Sequence, residues 1–514
     1  MSILSSTRLL NRLLLALAVV ICGSTSSAKV LRVPEPALEK AVADTLRVNR
    51  EALTKELVAE KLLFLEASGL QLRDLTGLEA AKNLEVLILR DNFIEDLSPL
   101  SNLSKLRKLD LSGNRIRSLA PLEGLSLAKM KQEFYGLSTS LESRTLTKDA
   151  KARLVTDLEK VVARINEGPW ALRDLSLANN RLLGLTGVGS LTSLRYLDVS
   201  SNSLIDLEGV GNLKSLITLY AQRNQLGRVE GYLDVDKDKK YTEGVDEVKD
   251  ESGNGKWDSD PLFEIQSMPS LVNLYLYDNL LTTTSLLKDL PNLKILLLSG
   301  NKLEDVSNMR QFKGLLRLAL SSNRITDLAG LEGLDKLEHL YLEENQVCDL
   351  RSLSALPAIR ELRLQSNQIM SVKILEQLKK LRVVSLSNNF IHDPFPVFDL
   401  PELKRLSLSS NRISPDERAL EEKLERMRIG GKFVTLGSQK KRIPELERLL
   451  YSLMGHPSSN KILGDYLLEN DYERLIDFAD DQTVSQEVRN KAYKQWEVAL
   501  RLGKLNEETP FPGK

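Results

Sequence analysis

Residues 337–345 read LEHLYLEEN, and this phrase returns along the chain at a fixed interval of 22 residues. The spacing of its leucines places them on one side of a short strand and its flanks. The closing asparagine can both donate and accept hydrogen bonds where the chain turns inside a core. One such coil cannot bury its leucines alone, so the pattern predicts stacked coils that share one continuous core. The uninterrupted copies close with Asn279, Asn301, Asn323, Asn345, Asn367, Asn389 and Asn411.

A repeat of this length, with this phrase, is the signature of a leucine-rich repeat and predicts an α/β solenoid shaped as a horseshoe. The spacing predicts about 13 coils, with two insertions at residues 126–170 and 230–261. Leu70 stands where the asparagine of the first coil should be, which suits a terminal repeat. The other early copies close with Asn92, Asn114, Asn180, Asn202 and Asn224. The chain therefore divides into a signal peptide (1–28), an N-terminal cap (29–61), a repeat domain (62–414) and a helical C-terminal cap and domain (415–514).

The first 28 residues have the pattern of an export signal. Arg8 and Arg12 precede a short apolar run, and the small residues before Lys29 suit a cleavage site. The pattern predicts an exported protein that is periplasmic, secreted or held at the cell surface. A lipid-modified Cys22 is the alternative. Cleavage after Ala28 would leave Cys348 as the one cysteine, so we expect no disulfide within the chain.

The charge balance is neutral, with 71 basic and 71 acidic residues. A chain without a net charge has no bulk attraction to nucleic acid, so no nucleic-acid partner is expected. Beyond the signal, no stretch reaches the eighteen consecutive apolar residues that a membrane span would require. We therefore expect no membrane span in the mature chain.

The first insertion carries apolar residues at helical spacing, from Leu154 through Leu158 to Ile165. Thr147 suits the start of this helix, and Gly168 together with the following proline suits its end. Two interpretations stay open: a helix that lies back on the flank of the solenoid, or a separate lobe that binds a partner.

The second insertion contains two runs in which oxygen-bearing side chains alternate. Alternation places successive oxygens on one side of a tight loop, as in calcium loops, and calcium prefers six to eight oxygen ligands. The runs lack the bidentate glutamate at place 12 of such a loop, and Lys239 replaces glycine in the first run. We expect a structural Ca²⁺ site here, with an acidic surface loop as the alternative. The candidate ligands are Asp234, Asp236, Asp238, Asp250, Ser252, Asn254, Lys256 and Asp258.

The residues on either side of each strand's central leucine should face the concave side of the horseshoe. Adjacent coils lie about 4.8 Å apart, so tyrosines at these positions should form one aromatic patch in the middle of the horseshoe. Tyrosine is enriched at binding hot spots, although it also suits half-buried strands that bind nothing. The candidate partner-binding residues are Tyr196, Tyr220, Tyr275, Tyr277, His339, Tyr341 and Arg363.

Two stretches resemble bacterial internalin-type extracellular repeat proteins. One runs from Val33 and Pro34 to Leu78, and the other runs from Asn92 to Leu106 and includes Asp96, Ser98 and Pro99. The resemblance covers residues 30 to about 411 and implies protein binding at a surface. The sequence departs from the surface-anchored members because it has no L-P-x-T-G sorting signal, so we do not expect covalent attachment to a cell wall.

A catalytic function finds little support in the residues. His339, His392 and His456 stand on three different kinds of element, and no phosphate loop, nucleophile elbow or zinc spacing accompanies them. We expect an exported, non-catalytic scaffold that binds a protein partner. A carbohydrate-binding or envelope-structural protein is the alternative, because tyrosine platforms suit sugars as well.

Overall fold

The computed structural model describes most of the repeat region and its flanks. The described ranges are 30–125, 127–141, 147–166, 172–227, 232–233, 247–248, 262–413 and 418–437.

One open parallel sheet runs through the whole described solenoid. Each coil contributes a strand of three residues, and the central residues of neighbouring coils pair in register, as Leu318 does with Leu340 and Leu340 with Leu362. The sheet does not close on itself, which confirms the predicted horseshoe of leucine-rich repeats. The strands of the repeats are β1 (Phe64–Glu66), β2 (Val86–Ile88), β3 (Lys108–Asp110), β4 (Asp174–Ser176), β5 (Tyr196–Asp198), β6 (Thr218–Tyr220), β9 (Asn273–Tyr275), β10 (Ile295–Leu297), β11 (Arg317–Ala319), β12 (His339–Tyr341), β13 (Glu361–Arg363), β14 (Val383–Ser385) and β15 (Arg405–Ser407).

The core lies on the side of this sheet that the central leucines face. Leu340 is 0% exposed, whereas its neighbours His339 and Tyr341 are half-buried on the opposite face. Burial of a leucine side chain contributes roughly 1.5–3 kcal/mol, so the repeated leucines drive the stacking. The far side of many coils is a short 3₁₀ helix. These helices are Leu78–Ala80, Ser98–Leu100, Ala120–Leu125, Val188–Ser190, Val210–Asn212, Ser307–Gln311, Ala329–Leu331, Arg351–Ala355 and Lys373–Gln377.

The asparagines that close the repeats satisfy the turns, as predicted, and form a ladder of hydrogen bonds from coil to coil. The Asn323 side-chain oxygen accepts from the Leu303 amide of the previous coil at 3.0 Å, and its nitrogen donates to the carbonyl of Leu298 at 3.0 Å. The residue before it, Ser322, has a φ of 54°. This left-handed conformation turns the chain sharply out of the strand. The first coil, which lacks its own asparagine, is completed by Asn92, which accepts from the amide of Leu70 at 3.0 Å.

Two short α-helices and a 3₁₀ turn precede the first coil: α1 (Pro36–Leu46), Arg50–Ala52 and α2 (Lys55–Lys61). Pro36 suits the first turn of α1, where its missing N–H costs nothing, and Thr54 caps α2 by accepting from the Leu57 amide at 3.2 Å. Buried Leu38 and Val58 belong to the same hydrophobic core as the leucines of the coils. The core therefore continues from the first coil into these helices.

The first insertion contains a pair of helices, α3 (Leu127–Leu141) and α4 (Lys148–Asn166), which pack against each other. The helix predicted from Thr147 is α4, in which Val161 is 2% exposed. Helix α3 falls within the insertion that was predicted to be helical, although no pattern located it separately, and it also contacts the 3₁₀ helix Ala120–Leu125. The insertion does not break the sheet, because β3 pairs directly with β4.

In the second insertion, the structure describes only a short antiparallel pair, β7 (Tyr232–Leu233) and β8 (Glu247–Val248). This insertion does not interrupt the sheet either, because β6 pairs directly with β9. Tyr220 is thereby placed opposite Tyr275.

The described C-terminal segment contains α5 (Phe395–Phe398), α6 (Arg418–Ile429) and β16 (Phe433–Thr435). Helix α6 agrees with the helical cap predicted after residue 414. The sequence did not predict β16, which pairs in parallel with β15 and extends the sheet by one strand. This strand carries Val434 at its centre and lacks the leucine phrase, so the repeat pattern could not reveal it. The rest of the predicted helical C-terminal domain, from residue 438 onward, lies outside the described residues.

Across the described ranges, the structure contains no helix with the length and apolar character that a membrane crossing demands.

Candidate concave binding surface

The concave surface is built from the first and third residues of each strand. Alternation turns these side chains away from the leucine core, and the parallel register brings equivalent positions of neighbouring coils side by side. A side chain on this surface therefore contacts residues 22 positions away, or further where an insertion intervenes.

Three of the predicted tyrosines form a continuous aromatic stack. The ring centroids of Tyr196 and Tyr220 are 5.3 Å apart with the planes tilted by 48°. Those of Tyr220 and Tyr275 are 4.2 Å apart with an interplanar angle of 12°. The stack exists because β5, β6 and β9 are neighbours, although the second insertion separates Tyr220 from Tyr275 in sequence. All three side chains are half-buried, so the stack presents part of its area to solvent.

Tyr277 lies two residues beyond Tyr275 and contacts a cation. The guanidinium of Arg223 is 6.0 Å from the ring centroid of Tyr277, and its Nε lies 3.4 Å from a carboxylate oxygen of Asp278. Tyr277 is close enough to Tyr220 to help raise the pKa of that residue. It therefore stands at the margin of the tyrosine stack.

The hydroxyl groups of Tyr196 and Tyr220 stay protonated at neutral pH. Burial and the neighbouring Tyr275 raise the pKa of Tyr220 to about 12. Burial, followed by the charge of Asp198, raises the pKa of Tyr196 as well. The surface therefore offers neutral phenols that can donate and accept hydrogen bonds.

His339, Tyr341 and Arg363 form a second group, which is centred on Glu361. His339 Nδ1 and the Tyr341 hydroxyl each lie 3.1 Å from Oε2 of Glu361. Arg363 Nε donates to Oε1 at 2.8 Å, and its guanidinium lies 4.9 Å from the Tyr341 ring centroid. Glu343 joins this group because its Oε1 lies 3.9 Å from a guanidinium nitrogen of Arg363. His339, Tyr341 and Arg363 were predicted from the sequence, whereas Glu361, which binds all three, was not.

The pKa of Glu361 reflects this setting. Burial raises its pKa, but the hydrogen bonds from Arg363 and His339 outweigh that effect, and the net shift is downward. Glu361 is therefore ionised at neutral pH and orients its neighbours.

The structure thus separates the predicted partner-binding residues into two groups. The tyrosine stack occupies β5 to β9, and the group around Glu361 occupies β12 and β13. Strands β10 and β11 lie between them and present Ile295, Leu297, Arg317 and Ala319.

A depression of about 450 Å³ adjoins the tyrosine stack on its N-terminal side. Its lining was not predicted as a site, although its residues alternate outward like the tyrosines. The signal in the sequence was the aspartate that recurs beside the central leucine of several early coils. The lining residues are Arg90, Lys108, Leu109, Asp110, Ser112, Asp174, Ser176, Tyr196 and Asp198.

The eight candidate calcium ligands, from Asp234 to Asp258, lie outside the described residues. Within the described ranges, no group of three or more His, Cys, Asp or Glu side chains is arranged to hold a metal ion.

Comparison with known proteins places this architecture in a class. The family model for leucine-rich repeats in two copies matches residues 82–124 and 313–355, and a single-repeat model matches residues 190–214. Among solved structures, an internalin from Listeria monocytogenes is 22% identical over 80% of this chain and 98% of that chain, with a TM-score of 0.60. The chain is therefore an internalin-like leucine-rich repeat protein in its fold.

Two further structures are similar at a lower level. The leucine-rich repeat ectodomain of a plant membrane receptor kinase from Arabidopsis thaliana, solved in complex with Casparian strip integrity factor 2, is 19% identical. The match covers 71% of this chain and 40% of that chain, with a TM-score of 0.46. A chain of the LRIM1/APL1C complex is 18% identical over 86% of this chain and 72% of its own, with a TM-score of 0.48. No curated protein sequence matches the chain.

Proposed function

We propose that this chain is an exported, non-catalytic scaffold that binds a protein partner through its concave face. The observation that carries the proposal is the stack of Tyr196, Tyr220 and Tyr275 on the solvent side of the sheet. Tyrosine provides a large contact area, few rotamers to restrict and a polar tip, and residues of this kind carry most of the energy of many interfaces.

The stack also has a structural role that any test must separate from binding. Aromatic pairs across neighbouring strands stabilise a sheet by roughly 0.2–1 kcal/mol each. The rings do not contribute to the leucine core, so replacing Tyr220 and Tyr275 should weaken binding far more than folding.

The test is affinity capture by the full chain from the extracellular and envelope fractions of its source cells. The double variant Tyr220→Ser and Tyr275→Ser is compared with Tyr135→Ser, a tyrosine on α3 that is 62% exposed. We expect defined proteins to be retained by the wild type and by Tyr135→Ser, and lost by the double variant. A glycan array is run in parallel. Glycan binding without protein capture would establish the carbohydrate-binding alternative instead.

Three further parts of the proposal rest on the sequence. Export rests on the charged and apolar pattern of residues 1–28, and N-terminal sequencing of the processed protein should begin at Lys29. A structural Ca²⁺ site rests on the alternating oxygens of residues 234–258. The absence of catalysis rests on the catalytic motifs that the sequence lacks.

A further inference from the structure

The depression beside the tyrosine stack has aspartates on three neighbouring strands. Asp110 ends β3, Asp174 begins β4 and Asp198 ends β5, and parallel pairing brings the three strands together. We call this depression the aspartate pocket, defined by Asp110, Asp174 and Asp198 with Tyr196 on its wall.

The three carboxylates differ in what they already bind. Asp110 is 3% exposed and is occupied by Arg90, whose Nε lies 2.6 Å from its Oδ2. The Asp198 Oδ1 accepts from both the amide and the hydroxyl of Ser200, at 3.0 and 2.6 Å, which leaves its Oδ2 open. Within the described part of the chain, no side chain or amide donates a hydrogen bond to the Asp174 carboxylate. The pocket therefore offers two carboxylates with acceptor oxygens to spare.

The electrostatic setting at the stack is negative. Beyond burial, the charges of Asp198, Asp110 and Asp174 all raise the pKa of Tyr196. Lys108 lies on the same face as these aspartates. Three exposed arginines, Arg107, Arg173 and Arg195, each precede a strand and lie at the rim of the surface. Arg107 is paired there with Glu85, at 3.6 Å. Arg90 and Lys108 line the depression itself, but Arg90 is paired with Asp110, so Asp174 and Asp198 outnumber the one remaining cation.

Gln222 carries an unsatisfied acceptor beside the tyrosine stack, outside the lining of the aspartate pocket. It is 9% exposed and lies two residues beyond Tyr220 on the same alternating face. Its Oε1 is buried and has no hydrogen-bond partner in the described part of the chain. A buried acceptor without a donor is costly, and a ligand that supplies an N–H would relieve the cost.

We infer that the aspartate pocket and the adjoining tyrosine stack form a recognition site for an arginine or lysine side chain of the protein partner. The alkyl stem of that side chain lies against Tyr196 and the adjoining Tyr220, and its charged end is received by Asp174 and Asp198. Paired hydrogen bonds to carboxylates favour arginine in particular. A bare metal ion fits poorly, because the described carboxylates do not converge as a metal-holding group. This inference rests on the proposed function and specifies its partner.

The test uses the full chain on an array of immobilised random-sequence peptides, followed by affinity measurement with the tightest-binding peptides in solution. We expect those peptides to be enriched in arginine and lysine. Replacing the arginine of a peptide with citrulline, which keeps the shape and removes the charge, should weaken binding about tenfold or more, as for a charged hydrogen bond lost from an interface. The variant Asp174→Asn with Asp198→Asn should show a similar loss, whereas Asp335→Asn, an exposed aspartate on another side of the solenoid, should bind as the wild type.

The outcomes separate the inference from the proposed function. Peptide binding that shows no preference for basic residues, or that survives both the citrulline exchange and the double aspartate variant, overturns the inference and leaves the binding scaffold in place. Binding of glycans with no peptide bound overturns both. The citrulline exchange acts on the peptide alone, so a folding defect in the aspartate variant cannot imitate the expected result.

Discussion

Removal of a single ladder asparagine tests how the coils are held together, and Asn323→Ala is the informative change. The substitution deletes the bond from the Leu303 amide, at 3.0 Å, and the bonds to the carbonyls of Leu298 and Leu320, at 3.0 and 2.9 Å. The two carbonyls keep a second donor, because Asn301 also donates to Leu298 and Asn345 also donates to Leu320. Only the Leu303 N–H loses its sole partner.

The magnitude follows from that one orphaned group. A buried donor left without an acceptor costs roughly 1–3 kcal/mol, so we expect a loss of stability in that range. Asn292→Ala is the matched control, since this exposed asparagine makes one bond, at 2.8 Å, to the carbonyl of Pro269. Its loss should cost less than about 0.5 kcal/mol, as at most surface sites.

Hydrogen exchange monitored by mass spectrometry is the suitable assay, because long repeat arrays need not unfold in one step. The Leu303 amide should exchange faster in Asn323→Ala by about one to two orders of magnitude, which corresponds to the free energy above. Denaturant unfolding supplies the overall change. Equal exchange at Leu303 in both variants would refute the assignment of the ladder as a stabilising element.

Three further predictions concern single sites. Burial raises the pKa of the Cys348 thiol to about 11. Iodoacetamide at neutral pH should therefore leave Cys348 unmodified in the folded chain and alkylate it in denaturant. Alkylation of Cys348 in the folded chain would contradict its burial. Glu361→Gln should destabilise the chain by roughly 1 kcal/mol at neutral pH. The pKa of Glu361 is lowered from 4.5, so this stabilisation is present above that pH and disappears as the pH falls. The free energies of unfolding of wild type and variant should therefore become equal in acid. A difference that stays constant with pH would contradict the ionised network. Titration calorimetry should detect calcium binding at about 10⁻⁴–10⁻³ M, abolished by Asp234→Ala with Asp250→Ala, and no heat from the wild type would exclude the site.

The repeat pattern predicted the solenoid accurately because one physical requirement recurs in every coil. A leucine such as Leu340 must face the core and an asparagine such as Asn345 must satisfy the turn, so the spacing alone locates the strands. The same register predicts that Tyr196 and Tyr220 meet, and they do.

The remaining features depend on contacts that no local pattern records. Strand β16 has Val434 in place of the leucine, so it forms only because β15 offers an unpaired edge. The aspartate pocket joins Asp110 to Asp174 across an insertion, and their proximity appears only once β3 and β4 are known to pair. Glu361 interacts with His339 and Arg363 because side chains from two neighbouring strands meet at its carboxylate.

The most direct test of the central claim is the affinity of the captured partner for three forms of the chain: wild type, Tyr220→Ser with Tyr275→Ser, and Tyr135→Ser. Circular dichroism first establishes that the variants are folded. The proposed function predicts that binding weakens by about 2 kcal/mol for each stack tyrosine replaced, as expected for interface hot spots, and is unchanged by Tyr135→Ser. Full affinity in the double variant, together with loss of binding when residues 438–514 are deleted, would contradict it and assign binding to the C-terminal segment.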